Sequence, residues 1–172
     1  MTPVLLTTTM LYTIYTAKGS YFDVECRDAK NGDGAFLQVT TDVGGKSIDQ
    51  ISDSFVLENL LAPTGRFSSY GQPTDVKIKK SFSNGNSKII DLSFSTLSQS
   101  TQTEIPRKAR LIATIPSGSA QAVMLVGSAS ATRWNKGADK DVISTLDSFQ
   151  AIPAPKTSMK LRKKERFSLD LE

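Results

Sequence analysis

The chain contains no histidine and a single cysteine, Cys26. Without histidine there is no Ser-His-Asp or Cys-His catalytic pair, no HExxH motif and no His-ligated metal site. One cysteine permits neither an intramolecular disulfide nor a CxxC redox or zinc pair. An enzyme built here would have to work with carboxylates, Lys, Tyr or a Ser-Lys pair. Long apolar runs are absent as well. The most apolar N-terminal stretch, residues 1–17, is diluted by Thr2, Thr7, Thr8, Thr9, Thr13 and Thr16, and lacks the ~20 predominantly apolar residues of a spanning helix. No basic residue precedes its apolar part, so it does not read as a signal peptide. If the protein is exported or imported, its leader is expected to lie outside this sequence or to have been removed.

Excess charge is scarce outside one segment. The net charge is +4, and residues 156–172, with six basic and three acidic groups, account for +3 of it. The remaining body therefore has no cationic field of the kind that neutralises nucleic-acid phosphates. What is present is an ordinary globular composition: 172 residues, 38% hydrophobic, with eight Phe and one Trp. That suffices for one domain with its own core.

Local patterns give an element order. Residues 10–16 and 21–27 read as strands. Asn31-Gly32-Asp33-Gly34 is a tight turn, and residues 35–41 form the second arm of a hairpin. After Gly44-Gly45-Lys46, the spacing of Ser47 and Gln50 is that of a capping box. It opens a helix with Ile48, Ile51, Phe55 and Asn59 on one face, which Pro63 ends near Leu61 or Ala62. Strands follow around Val76 and Ile78, and around Ile90, Leu92 and Phe94, with Asn84-Gly85-Asn86 between them. A third pair, residues 110–115 and 120–128, flanks Pro116-Ser117-Gly118-Ser119. Residues 141–149 close the domain as a helix carrying Val142, Leu146 and Phe149 on one stripe. Hairpins with two helices and no βαβ alternation predict an α+β fold, an antiparallel sheet with helices on its faces.

Five features of the sequence are weighed for a functional role. Gly44-Gly45-Lys46-Ser47 sits where a phosphate-binding loop would, but Thr40 occupies the position of that motif's first glycine, leaving a turn and an N-cap. Asp28, Asn31 and Asp33 crowd one turn and are the candidates for a cation such as Ca²⁺. The EF-hand pattern is absent, however, and turns collect these residues anyway, so no metal site is assigned. Trp134 is expected to plug the junction of sheet and helix as core, and Arg133 beside it is a candidate interface residue. Cys26 is expected to be a buried, inert thiol. The basic segment Lys160, Arg162, Lys163, Lys164 and Arg166 is followed by Phe167, Leu169 and Leu171 at period 2. After the hinge of Pro153 and Pro155, this pattern suits docking to a partner.

The stretch ASATRWNKGADKDVISTLDSF, residues 129–149, resembles the C-terminal signature of the PsbP family. In that family an Arg-Trp pair follows the last strand, and the closing helix ends in Asp-Ser-Phe, here Arg133-Trp134 and Asp147-Ser148-Phe149. The resemblance covers residues 21–152. It implies a PsbP-like α/β/α sandwich and divides the chain into residues 1–18 (extension or first strand), 19–152 (domain) and 153–172 (basic tail). It also implies a non-enzymatic extrinsic protein, peripheral to the thylakoid membrane on its lumenal side in the chloroplast, with photosystem core subunits as partners. Photosystem II is the first expectation, with a role in calcium and chloride retention at the oxygen-evolving centre and no tightly bound cofactor. The alternative is an assembly factor or subunit of photosystem I or of the chloroplast NDH complex. A small Ser/Lys hydrolase is a remote third reading. The sequence departs from the family in lacking a transit sequence and any histidine, and in carrying the basic tail.

Overall fold

A computed structural model describes residues 15–17, 21–23, 25–28, 30–63, 65–68, 71–98 and 101–151. Strands β1 (Tyr15–Ala17) and β2 (Tyr21–Asp23) pair antiparallel. Six more form one sheet: β3 (Glu25–Arg27), β4 (Gly34–Asp42), β5 (Thr74–Asn84), β6 (Ser87–Leu97), β7 (Glu104–Thr114) and β8 (Gln121–Ser130). Their spatial order is β3-β4-β8-β7-β6-β5, antiparallel at every step. The fold is α+β, built on this antiparallel sheet.

Turn chemistry explains the hairpins. Asn84 faces Ser87 across a two-residue loop, and Gly85 supplies its positive φ of 57°, the conformation tight hairpin turns require. Gly34 serves close approach instead: a Cβ there would lie 2.5 Å from the Cys26 carbonyl oxygen. The edge strand β5 carries exposed Lys77, Lys79 and Lys80 and two register shifts, features that discourage pairing with another chain.

The core follows period 2. Ile90, Leu92 and Phe94 of β6, Ala109, Leu111 and Ala113 of β7, and Ala122, Met124 and Val126 of β8 form one buried face. Helix α1 (Asp53–Leu60) packs Val56 and Leu60 into the same cluster. Gly127 is one residue out of phase with that face. Against it lie Val142 and Leu146 of α3 (Asp139–Asp147). Thr40 sits where the β4–β8 register shifts, and its hydroxyl accepts from the Ala122 amide at 3.0 Å, which satisfies a buried backbone donor. Directly opposed Asp91 and Arg110 form a two-bond ion pair at 2.5 and 2.7 Å, and that bonding raises the Arg110 pKa.

Several expectations are corrected. The first helix is not continuous. Ile48–Gln50 form a separate single turn, Ile51 is extended (φ −76°, ψ 123°), and Ser52 caps a new helix by accepting from the Phe55 amide at 3.2 Å. The break lets Ile51, only 3% exposed, reach the core. Trp134 is half-buried and stands outside the core cluster. Helix α2 (Ala131–Arg133) runs into a wide turn, Trp134–Ala138, before α3, and Val142 and Leu146 fill the seam over Gly127 that the indole was expected to plug. Cys26 is exposed, because β3 is a three-residue edge strand. The expected strand over residues 10–16 is described only at its end, and residues 10–14 lie outside the described residues.

Asp53 ties α1 to the sheet. Its carboxylate lies 2.7 Å from Lys88 Nζ and accepts from Ser81 Oγ at 2.9 Å, while Lys88 also donates to the Ile51 carbonyl at 2.6 Å. Burial raises the Asp53 pKa, but the bonds from Lys88 and Ser81 outweigh it and leave the net value lowered. A depressed carboxylate contributes stability above its unfolded pKa and loses it as pH falls through the folded one. Asp53→Asn is therefore expected to be less stable than the parent at neutral pH, with the gap closing under acid. Urea unfolding across the acid range checks this, and a gap independent of pH would contradict it.

Candidate functional site

The buried face runs on past the part that α1 fills, and there its chemistry changes. In phase with Ala109, Leu111 and Ala113 comes Arg107. Ser128 continues the row of Met124 and Val126, and Thr96 follows Phe94. This end of the sheet lines an open cavity of 440 Å³. Its walls are completed by β3, by the turn before β4, and by a short helical turn, Arg66–Ser68. Phe67 of that turn packs edge-on between Phe36 and Phe94, with ring centroids 5.3 and 4.6 Å away. This aromatic stack pins the turn to the core and so positions Arg66.

Arg107 is held from the neighbouring strand and a turn. Its Nη2 donates to the Gly32 carbonyl at 3.0 Å and to Ser128 Oγ at 3.1 Å. Its Nε is buried without a protein partner. Burial lowers the Arg107 pKa; Asp33 opposes that shift, while Arg27 and Arg66 add to it. Arg66 is ion-paired with Glu25. Arg27 and Lys30 also line the cavity, and among the described residues neither forms an ion pair. The cavity lining thus combines basic side chains with the apolar Phe67, Leu97 and Ile105.

Of the described residues singled out for function in the sequence, only Asn31 lines this cavity, and they form no ligand set. Asp28 accepts from the Lys30 amide at 2.8 Å and from Asn31 Nδ2 at 2.6 Å; the Lys30 bond is the main reason its pKa is lowered. Asp33 turns away from both, accepts from the Ser130 amide at 3.2 Å, and pairs with Arg133. That clasp fixes the β3–β4 turn to the entrance of α2. Among the described residues no three Cys, Asp or Glu are grouped as a metal would require. The Gly44 amide donates to Asp42 Oδ1 at 2.7 Å, so an internal carboxylate takes the donor that a phosphate loop would offer. Lys160, Arg162, Lys163, Lys164, Arg166, Phe167, Leu169 and Leu171 lie outside the described residues.

The arginine cluster escaped the sequence reading because Arg27, Arg66 and Arg107 come from three distant segments. One signal was available. Arg107 occupies the otherwise apolar inward phase of β7, where a charge needs a structural or functional reason. No family model matches the chain, and no curated protein matches it. Among the described residues no helix is long and apolar enough to cross a membrane.

Proposed function

We infer that this protein is a non-enzymatic PsbP-like subunit, extrinsic to a photosynthetic membrane complex on the lumenal side of the thylakoid. The observation that carries this reading is the C-terminal unit. Arg133 and Trp134 lead from the last strand into α3, and the Phe149 amide returns to the Leu146 carbonyl at 3.0 Å. The Arg-Trp and Asp-Ser-Phe elements of the resemblance thereby open and close one structural piece. The α/β/α sandwich has support in strand alternation: Val126 joins the cluster under α1, and its neighbour Gly127 meets α3. Lys88, whose side chain is only 11% exposed, is engaged with Asp53 and with the Ile51 carbonyl, which supports a binding role over hydrolysis.

On this reading the protein attaches to photosystem II through the basic tail and Arg133. It aids calcium and chloride retention by covering the reaction centre rather than by ligating an ion. Removing residues 156–172 is expected to leave the fold intact, since α3 already closes the packing over Gly127. Association at low salt should slow by about tenfold or more, the scale of electrostatic steering, and most of the salt dependence should disappear. The test is a salt titration of binding to photosystem II membranes stripped of extrinsic proteins, comparing the full chain with one ending at residue 155. Equal affinity and equal salt slope would exclude the tail as the anchor. Binding to photosystem I alone would move the protein to the assembly-factor alternative.

A further inference from the structure

The geometry points to a binding site for an organic carboxylate, an anion carried on an apolar body, in the cavity between Arg107, Arg27 and Phe67. It stands on the cavity alone and does not depend on the photosynthetic reading.

Three observations carry it. First, Arg107 lies in the core phase of β7, is fixed by bonds to Gly32 and Ser128, and lines the cavity. A guanidinium is shaped to meet carboxylate oxygens. Second, the charges are unbalanced. Glu25 answers Arg66, whereas Arg27 and Lys30 line the same space and, among the described residues, pair with no carboxylate. Asp33, which acts on Arg107 from nearby, is already shared with Arg133. An entering anion would relieve the mutual repulsion of the guanidinium groups. Third, the lining also includes apolar side chains, Phe67, Leu97 and Ile105. A bare inorganic ion would leave these side chains uncovered. The volume of 440 Å³ falls within the ~300–1,000 Å³ of small-molecule sites.

Such a carboxylate could be a free metabolite-sized acid or the C-terminal carboxylate of a partner chain, and the chemistry of recognition is the same. The test titrates the full chain by calorimetry with 3-phenylpropionate, 3-phenylpropionamide and inorganic phosphate. Saturable binding of the acid is expected, with the amide and phosphate each weaker by roughly tenfold or more, as the loss of a charge-assisted bond or of apolar contact implies. Arg107→Lys and Arg27→Gln should each weaken the acid roughly tenfold, while Lys79→Gln on the far edge strand should change nothing. Should Arg107→Lys fail to fold, the exposed Arg27→Gln still decides the matter. Equal binding of all three probes, no saturation by the acid, or equal losses in Lys79→Gln and Arg27→Gln would overturn the proposal. A second arm compares an acetylated peptide ending in a free Phe carboxylate with its C-terminal amide. Tighter binding of the peptide acid than of 3-phenylpropionate assigns the site to a chain end, and weaker binding assigns it to a free small acid.

Discussion

Phe94→Ala is expected to lower the unfolding free energy by ~3–5 kcal/mol, the range for emptying a buried aromatic site. Phe94 is 2% exposed and sits on β6 between the aliphatic core and the cavity. Its ring also meets Phe67 edge-on at 4.6 Å, and such pairs add about 0.5–1.5 kcal/mol beyond area burial. Truncation should therefore do two things. It opens a void that neighbouring strands cannot close, and it frees the Arg66–Ser68 turn that Phe67 anchors. Phe94→Leu restores part of the volume without the ring and should recover part of the stability but little of the turn's order. Urea unfolding measures the first effect, and amide exchange over residues 65–68 measures the second. A loss below about 1 kcal/mol, the scale of an average substitution, would show that Phe94 does not hold the core together.

Gly127→Leu tests the seam under the closing helix. A Cβ at this position would lie 2.6 Å from Val142 Cγ1 and 2.9 Å from Leu146 Cδ1, distances that no relaxed side chain tolerates. Helix α3 must then lift from β8. Overpacking of this kind costs ~1–3 kcal/mol, and exposing Leu146, now 1% exposed, adds ~1.5–3 kcal/mol. Truncating the obstruction provides the control. Leu146→Ala destabilises the parent, yet in the Gly127→Leu background it removes an atom that clashes, so the two losses should be markedly less than additive. Strict additivity would mean that α3 does not rest on Gly127.

Much of the sheet was legible because its causes are local. A turn such as Asn84-Gly85-Asn86 depends on the φ of one glycine, and the row Ile90, Leu92 and Phe94 follows from the period of a strand. The end of α1 near Leu61, ahead of Pro63, is equally a matter of a few neighbouring residues. The break at Ile51 was not legible. Ser47 and Gln50 do meet as a capping box, but the capped turn stops after Gln50 because burying Ile51 outweighs continuing the helix.

The site itself was decided in three dimensions. Sequence determined that histidine and paired cysteine chemistry are impossible, that hairpins alternate with two helical segments, and that most of the net charge lies after Pro155. It could not determine that β8 enters between β4 and β7, because strand partners far apart in sequence are chosen by which apolar faces can be buried together. That insertion carries Ser128 to Arg107, and the turn pinned by Phe67 then brings in Arg66. It also places β3 at the edge, where Cys26 is exposed, and lets Gly127 admit α3 so closely that Trp134 is left outside the core. Burial and charge convergence are properties of what the rest of the chain covers, so only the tertiary structure could set them.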